Sequence, residues 1–254
     1  MQAKGAPSQN TPRAVLRRAI TLPLLIFYGL GVTIGAGIYV LVGATAAQAG
    51  IYAPASFLVA AVVMLFSAGS FSELSGRFPQ SAGEAAYVEA AFKTPSLTVL
   101  TGALLLLAGT VSAAAITVGC AGYIATLLPL PLWMIIVLSV AISGVVAAWG
   151  ILESVRFAAV LTLVEVLGLV IVVTAGIWHQ PTIIFALPSV FPDPSDTAAL
   201  GAIALTSLVA FFAFIGFEDI ANMAEEVRRP RRTLPLAILI TLSVSSLIYL
   251  AVAW

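Results

Sequence analysis

Charged residues in this chain are confined to short clusters, and between the clusters run apolar stretches long enough to cross a bilayer. An α-helix rises about 1.5 Å per residue, so about 20 mostly apolar residues span the hydrocarbon core. Seven stretches meet that requirement: residues 22–47, 54–76, 97–127, 132–148, 155–178, 199–224 and 234–254. With 61% of its 254 residues hydrophobic and 9% charged, the chain has too few polar side chains to cover a water-facing surface. The pattern predicts an all-α membrane protein embedded in a lipid bilayer. The third stretch exceeds a perpendicular crossing, so it either tilts or includes an interfacial turn. The segment A-G-E-A-A-Y-V-E-A-A-F-K, residues 82–93, reads as a short helix along the membrane surface.

The basic residues set the orientation, because Lys and Arg favour the cytoplasmic loops. Lys4, Arg13, Arg17 and Arg18 precede the first span, and Arg77 and Lys93 lie between the second and third. Arg156 lies where the fourth span meets the fifth, and Arg228, Arg229, Arg231 and Arg232 separate the sixth from the seventh. Seven crossings put all eleven on one side. The expectation is an integral multi-pass protein of a bacterial or archaeal plasma membrane, with a cytoplasmic N-terminus. Residues 1–19 are polar, contain Pro and Gly, and are expected to be disordered; residues 20–254 form the membrane domain.

Composition also narrows function. Formal net charge is zero, which gives no reason to expect a nucleic-acid partner. Cys120 stands alone, so it can form no intrachain disulfide and no cysteine-based metal site, and it is read as a packing residue. The single histidine, His179, falls at the end of the fifth span and leaves no material for a Ser-His-Asp set or a His/Asp metal cluster. No cofactor is expected and the chain does not read as an enzyme. No lysine lies in any span, which disfavours a retinal-binding seven-helix receptor. The sequence sets no oligomeric state.

Residues 32–40, V-T-I-G-A-G-I-Y-V, put Gly35 and Gly37 in the middle of the first span. Glycine costs a helix interior about 1 kcal/mol relative to alanine. Either the glycines admit a neighbouring helix, or the helix unwinds there and its backbone lines a polar cavity. The sixth span has a similar interruption at mid-length, F-F-A-F-I-G-F-E-D at residues 211–219, with Glu218 and Asp219 just beyond Gly216. Acids at that depth avoid lipid. Spans one and six cross in opposite directions, the relation expected of inverted repeats, and paired broken helices mark a transporter's binding site. A half-helix N-terminus suits a carboxylate, and freed carbonyls suit an ammonium or sodium ion.

The string G-V-T-I-G-A-G-I-Y at residues 31–39 resembles the first-span signature of the amino acid–polyamine–organocation superfamily. Three more segments are similar to that superfamily: S-E-L-S-G-R-F-P-Q-S-A-G-E-A-A-Y at 72–87, W-G-I-L-E-S-V-R-F at 149–157, and F-F-A-F-I-G-F-E followed by E-E-V-R-R-P-R-R-T-L-P at 225–235. The resemblance implies a five-plus-five inverted-repeat transporter fold with discontinuous helices one and six. Residues 20–178 would form the first repeat and residues 197–254 would begin the second. It further implies secondary active transport of amino acids or related amines by alternating access, proton-coupled or by exchange. Ile34, Gly35, Ala36 and Gly37 would offer N–H groups to the substrate carboxylate. Phe212, Ala213 and Ile215 would offer carbonyls to its amino group, with the Phe212 ring closing over it, and Gly216 would permit unwinding. Phe211, Phe214 and Phe217 read as packing residues. The superfamily core has ten spans, so a seven-span chain is expected to be a fragment; a truncated, non-transporting subunit is the alternative.

Two acids are candidate coupling or gating residues. Glu165 lies near the centre of the fifth span, with Thr162 and Gly168 at helical spacing on an inward-turned face. Several superfamily members carry a lysine at about this position; here the sign is opposite. Glu165 is read either as a proton-coupling or cation-attracting group, or as a protonated acid hydrogen-bonded to a neighbouring helix. Glu218 is read either as a cavity or gating group, or as a water-exposed residue of the inner half-helix. Glu73 and Arg77, spaced i,i+4, are expected to pair, and Glu225, Glu226 and the four nearby arginines to form an interfacial salt-bridge and headgroup cluster.

Overall fold

In the computed structural model residues 18–182 and 189–254 are described; Lys4, Arg13 and Arg17, the expected disorder of residues 1–17, and residues 183–188 of the loop after the fifth span lie outside them. The described chain is helical: α1 (Leu22–Ala49), α2 (Ala53–Arg77), α3 (Gly83–Phe92), α4 (Pro95–Leu127), α5 (Leu132–Trp149), α6 (Ile151–His179), α7 (Thr197–Phe211), α8 (Asp219–Asn222) and α9 (Pro230–Ala253). Short 3₁₀ turns occupy Gly50–Tyr52 and Phe212–Phe214. Proline stands in the first turn of α1, α2, α4 and α9, where the backbone N–H has no intrahelical partner to lose.

Six continuous segments are long and apolar enough to cross a membrane. The first, Leu22–Arg77, contains both α1 and α2 and is 56 residues long. Both of its helices pack along α9, which has only 24 residues, so the segment doubles back at Gly50–Tyr52 and supplies two passes. The result is an all-α membrane protein with seven passes among the described residues. The third span is one continuous helix of 33 residues. At about 50 Å it exceeds the hydrocarbon core, and it contains no interfacial turn. The fifth span begins at Ile151, four residues before the apolar stretch, because Gly150 at φ 125° and ψ 160° sets the helix start.

The core is built on α9, packed against α1 and α2, with α7 on the far side of both and α6 against α1. Its fully buried side chains include Leu25, Ile34, Ile38, Phe57, Phe214, Leu242 and Tyr249. Helices α4 and α5 stand outside this core with almost all of their side chains exposed, among them Leu106, Val111 and Ile142. That apolar surface suits hydrocarbon or a further apolar helix.

The two ends of the bundle differ in chemistry. At one end Ile20 forms an isolated bridge with Val227: the Ile20 N–H donates to Glu226 O at 3.0 Å and the Arg228 N–H to Ile20 O at 2.9 Å. The Glu225 N–H donates to the Ser81 hydroxyl at 3.2 Å, which ties the turn before α3 to the same connection. Arg18, Arg77, Lys93 and Arg228 to Arg232 all belong to these segments. Helix α6 runs beside α1 in the same direction, since Thr162 lies at Gly31 and Gly168 at Tyr39, and this brings Arg156 to that end as well. At the other end Tyr52, Ala55, Val190 and Ile203 pack together.

Candidate functional site

Helix α1 is kinked at Gly35, where φ is 31° and ψ −145°. Those angles interrupt the i→i−4 ladder at the middle of the helix. A side chain at Gly35 would be strained by the positive φ, although nothing lies within 4 Å of its Cβ position. The neighbouring glycines answer the other half of the sequence question. A Cβ at Gly31 would overlap Thr162 of α6, and one at Gly37 would lie 3.2 Å from Ala213 Cα. Unwinding and close packing are therefore both present, at different glycines.

The sixth span breaks more completely. Helix α7 stops at Phe211, the 3₁₀ turn Phe212–Phe214 follows, and Ile215 is extended at φ −64° and ψ 137°. Gly216 has φ 123°, and a Cβ there would sit 2.9 Å from the Val32 carbonyl oxygen. The chain re-enters helix only at Asp219. The Glu218 carboxylate accepts the Gly216 N–H at 2.9 Å, which satisfies a donor freed by the break.

The two breaks touch. Gly37 faces Ala213 while Val32 faces Gly216, so the two spans cross antiparallel at their interrupted middles. Tyr249 of α9 joins them. Its hydroxyl lies 2.7 Å from the Thr33 carbonyl oxygen of the first span and 2.7 Å from the Ala213 carbonyl oxygen of the sixth. The ring is fully buried against Phe57 and Phe214, with centroids 5.9 and 4.9 Å away. The Thr33 and Thr241 hydroxyls are buried without a partner among the described residues. The Tyr249 hydroxyl, with a single proton to donate, is shared between the two carbonyls at this junction. No sequence motif pointed to it, since a lone tyrosine in an apolar span looks like packing.

Beside this junction lies a cleft of about 710 Å³ between α1, α4 and α6. Gly35, Gly37, Tyr39, Cys120, Tyr123 and Glu165 are among its lining residues. Cys120 is exposed there rather than packed. Glu165 is partly buried, and the Tyr39 hydroxyl donates to its backbone carbonyl at 3.4 Å. Of the first-span candidates, Gly35 and Gly37 share one cavity with Glu165. Ile34 is fully buried and does not line the cleft; the Ala36 side chain lies outside the described residues.

The sixth-span candidates are distributed differently. The Phe212 carbonyl accepts the Ile215 N–H at 3.4 Å, and the Ala213 carbonyl accepts from Tyr249. The Phe212 ring is 63% exposed and Ile215 44%, and neither lines the cleft of Glu165. Phe214 and Phe217 are buried packing residues, Phe217 against Phe71 at 5.5 Å.

Around the basic end, Glu73 and Arg77 form the expected ion pair, both side chains largely exposed. The expected salt bridges between Glu225, Glu226 and the arginines are not formed among the described residues. The Glu225 carboxylate instead accepts the Ser81 N–H at 3.4 Å. His179 is exposed in the last turn of α6.

Comparison with known proteins adds identity to this geometry. Residues 20–254 match the family model described as amino acid permease. The cationic amino acid transporter 3, mitochondrial, of Arabidopsis thaliana is 34% identical over 262 residues, covering 94% of this chain and 42% of that protein. The branched-chain amino acid permease BcaP of Bacillus subtilis is 27% identical, covering 94% of this chain and 54% of its own length. The methylthioribose transporter of the same bacterium is 27% identical over the whole of this chain and 57% of itself. The chain spans about half the length of these relatives. A helical bundle with touching breaks in its first and sixth spans, matched by this model from residue 20 to residue 254, belongs to the amino acid permease family.

Proposed function

We propose that the protein carrying this chain moves amino acids or related amines across a membrane by secondary active transport, as an alternating-access carrier rather than an enzyme. The observation that carries this reading is the meeting of two antiparallel helices at their breaks, Gly37 on Ala213 and Val32 on Gly216. Broken half-helices place N–H and C=O groups at mid-membrane outside the regular helical ladder, where an α-amino acid's two charges can be held by backbone alone. In this reading the N–H groups of Ile34 to Gly37 receive the carboxylate. The carbonyls of Phe212 and Ala213, held here by the Ile215 N–H and the Tyr249 hydroxyl, turn with that of Ile215 to the amino group when substrate binds, and Gly216 is the hinge. Residues 20–178 act as the first inverted repeat and residues 197–254 open the second. The N-terminus is cytoplasmic and the membrane a bacterial or archaeal plasma membrane, the first supported by the one-sided bases.

Glu165 deepens the reading. It places an acid in the cleft beside Gly35 and Gly37. An acid in that position attracts a cationic side chain or carries a proton during the cycle. The names of the relatives include cationic amino acid transporters, which supports a substrate with a second positive charge. The test is uptake of labelled lysine, arginine, leucine and a diamine into proteoliposomes at several pH values. Glu165→Gln is expected to reduce uptake of the cationic substrates at least tenfold and to flatten its pH dependence. Unchanged uptake and unchanged pH dependence would remove Glu165 from the mechanism. Absence of uptake of every amino acid and amine by the wild-type protein would remove the transport reading itself.

A further inference from the structure

A second site lies at the basic end of the bundle, away from the cleft of Glu165 and independent of what is transported. Arg18, Arg229, Arg231 and Arg232 line one cleft of about 620 Å³, together with Pro79 and Pro230. The main chain builds it. The bridge between Ile20 and Val227 holds the segment before α1 against the connection before α9, and this brings Arg18 to the other three arginines. Arg229 is the N-cap of α9 and carries a left-handed φ of 53°, and the Arg232 and Thr233 N–H groups donate back to its carbonyl at 3.0 and 3.1 Å. Among the described residues no carboxylate lies within ion-pair distance of any of the four. Four guanidinium groups sharing one cleft repel one another, and an anion relieves that repulsion.

The helix below the cleft has a matching surface. Arg232, Leu236, Leu239, Ser243 and Leu247 are all exposed and are spaced four, three, four and four residues apart, so they form one stripe down α9. The stripe is cationic at the end of the span and apolar over most of its length. A soluble anion would use only the upper part. An amphiphile with an anionic head would use all of it.

We propose that Arg18, Arg229, Arg231 and Arg232 seat the phosphodiester headgroup of an anionic phospholipid, with its acyl chains lying along Leu236 and Leu239 of α9. Guanidinium forks bind phosphoryl oxygens in pairs, which makes arginine the suitable residue. Arg228 does not line the cleft although it precedes Arg229, so it is an internal control of equal charge.

The test uses the full-length protein in detergent, with bound lipid resolved by native mass spectrometry. Phosphatidylglycerol, phosphatidylcholine and inorganic phosphate are titrated separately and in competition. The wild-type protein is expected to retain phosphatidylglycerol about tenfold better than phosphatidylcholine. Arg231→Gln and Arg232→Gln should each lower phosphatidylglycerol retention about fivefold. Arg228→Gln should leave it unchanged. Equal retention of the two lipids by the wild-type protein overturns the proposal without any variant. An equal loss in Arg228→Gln overturns it in favour of diffuse charge. Displacement of phosphatidylglycerol by millimolar phosphate overturns the lipid assignment in favour of a soluble phosphoryl anion.

Discussion

At Gly35 the backbone has φ 31° with empty space around the Cβ position, whereas at Gly216 φ is 123° and the Cβ position lies 2.9 Å from Val32 O. The two substitutions therefore fail for different reasons. Gly35→Ala meets conformational strain of about 1–2 kcal/mol and no clash. Gly216→Ala meets strain of about 1–3 kcal/mol and in addition a collision with backbone. Gly43, helical and with nothing within 4 Å, should gain about 0.5–1 kcal/mol as alanine. The expected order of thermal unfolding midpoints in detergent is Gly43→Ala above wild type, then Gly35→Ala, then Gly216→Ala. A Gly35→Ala protein as stable as wild type would show that the first span does not break there. Tyr249→Phe keeps the buried ring and removes the hydroxyl that serves the Thr33 and Ala213 carbonyls. It should cost about 1–3 kcal/mol, read in the same assay. It should also weaken substrate binding more than Phe57→Leu, which disturbs only the ring packing. The glycines were legible in the sequence because an unfavourable residue at mid-span needs a reason. Tyr249 was not, because its partners are main-chain carbonyls on two other helices, 216 and 36 residues away.

At the scale of elements, α3 shows how a short polar helix is anchored to the broken sixth span. Ala86 and Tyr87 pack against Ala221 of α8, and the Tyr87 ring meets Phe71 at 6.2 Å, which in turn meets Phe217. Glu84, in the first turn of α3, has a carboxyl pushed above its ordinary value by burial, with a backbone N–H contact partly offsetting this and the charge of Asp219 adding a smaller upward push. The folded protein therefore prefers the protonated acid. The stability it contributes is complete below the unfolded value of about 4.5 and is lost as pH rises through the higher folded value. Docking of α3 should loosen with rising pH, and amide exchange over residues 83–92, corrected for its intrinsic pH dependence, should accelerate accordingly. Glu84→Gln should remove that acceleration and stabilise the protein at neutral pH; an unchanged profile in the variant would assign the effect to another group. The helix itself was legible from residues 82–93, as were the apolar spans to within a few residues. The earlier start of α6 and the single unbroken α4 were not, because a helix end depends on a glycine's dihedral angles and tilt depends on neighbours, and neither leaves a hydropathy signal.

At the scale of the whole molecule, one end is basic and tied together, and the other carries no lysine or arginine among the described residues. Ile20 pairs with Val227, Ser81 with Glu225, and Arg18 with Arg229 to Arg232 around one cleft. Three connections distant in sequence thus meet at one end, which the alternation of seven crossings required but could not show. At the far end Val190 and Phe191 line a small apolar pocket with Pro54, Leu247 and Trp254. The positive-inside bias then predicts that the basic end is cytoplasmic. Exposed single cysteines test this in a Cys120→Ser background, because Cys120 is the one cysteine of these 254 residues and lies in the cleft. Glu89→Cys and Arg228→Cys occupy the basic end, and Asp193→Cys and Ser195→Cys the opposite one. In intact cells a membrane-impermeant maleimide should label the second pair and spare the first, and inverted vesicles should reverse the result. Labelling of residue 228 in intact cells would place the basic end outside and with it Arg18 and the N-terminus. Labelling of both pairs from the same face would mean an even number of crossings between them, and the seven-pass arrangement would fall.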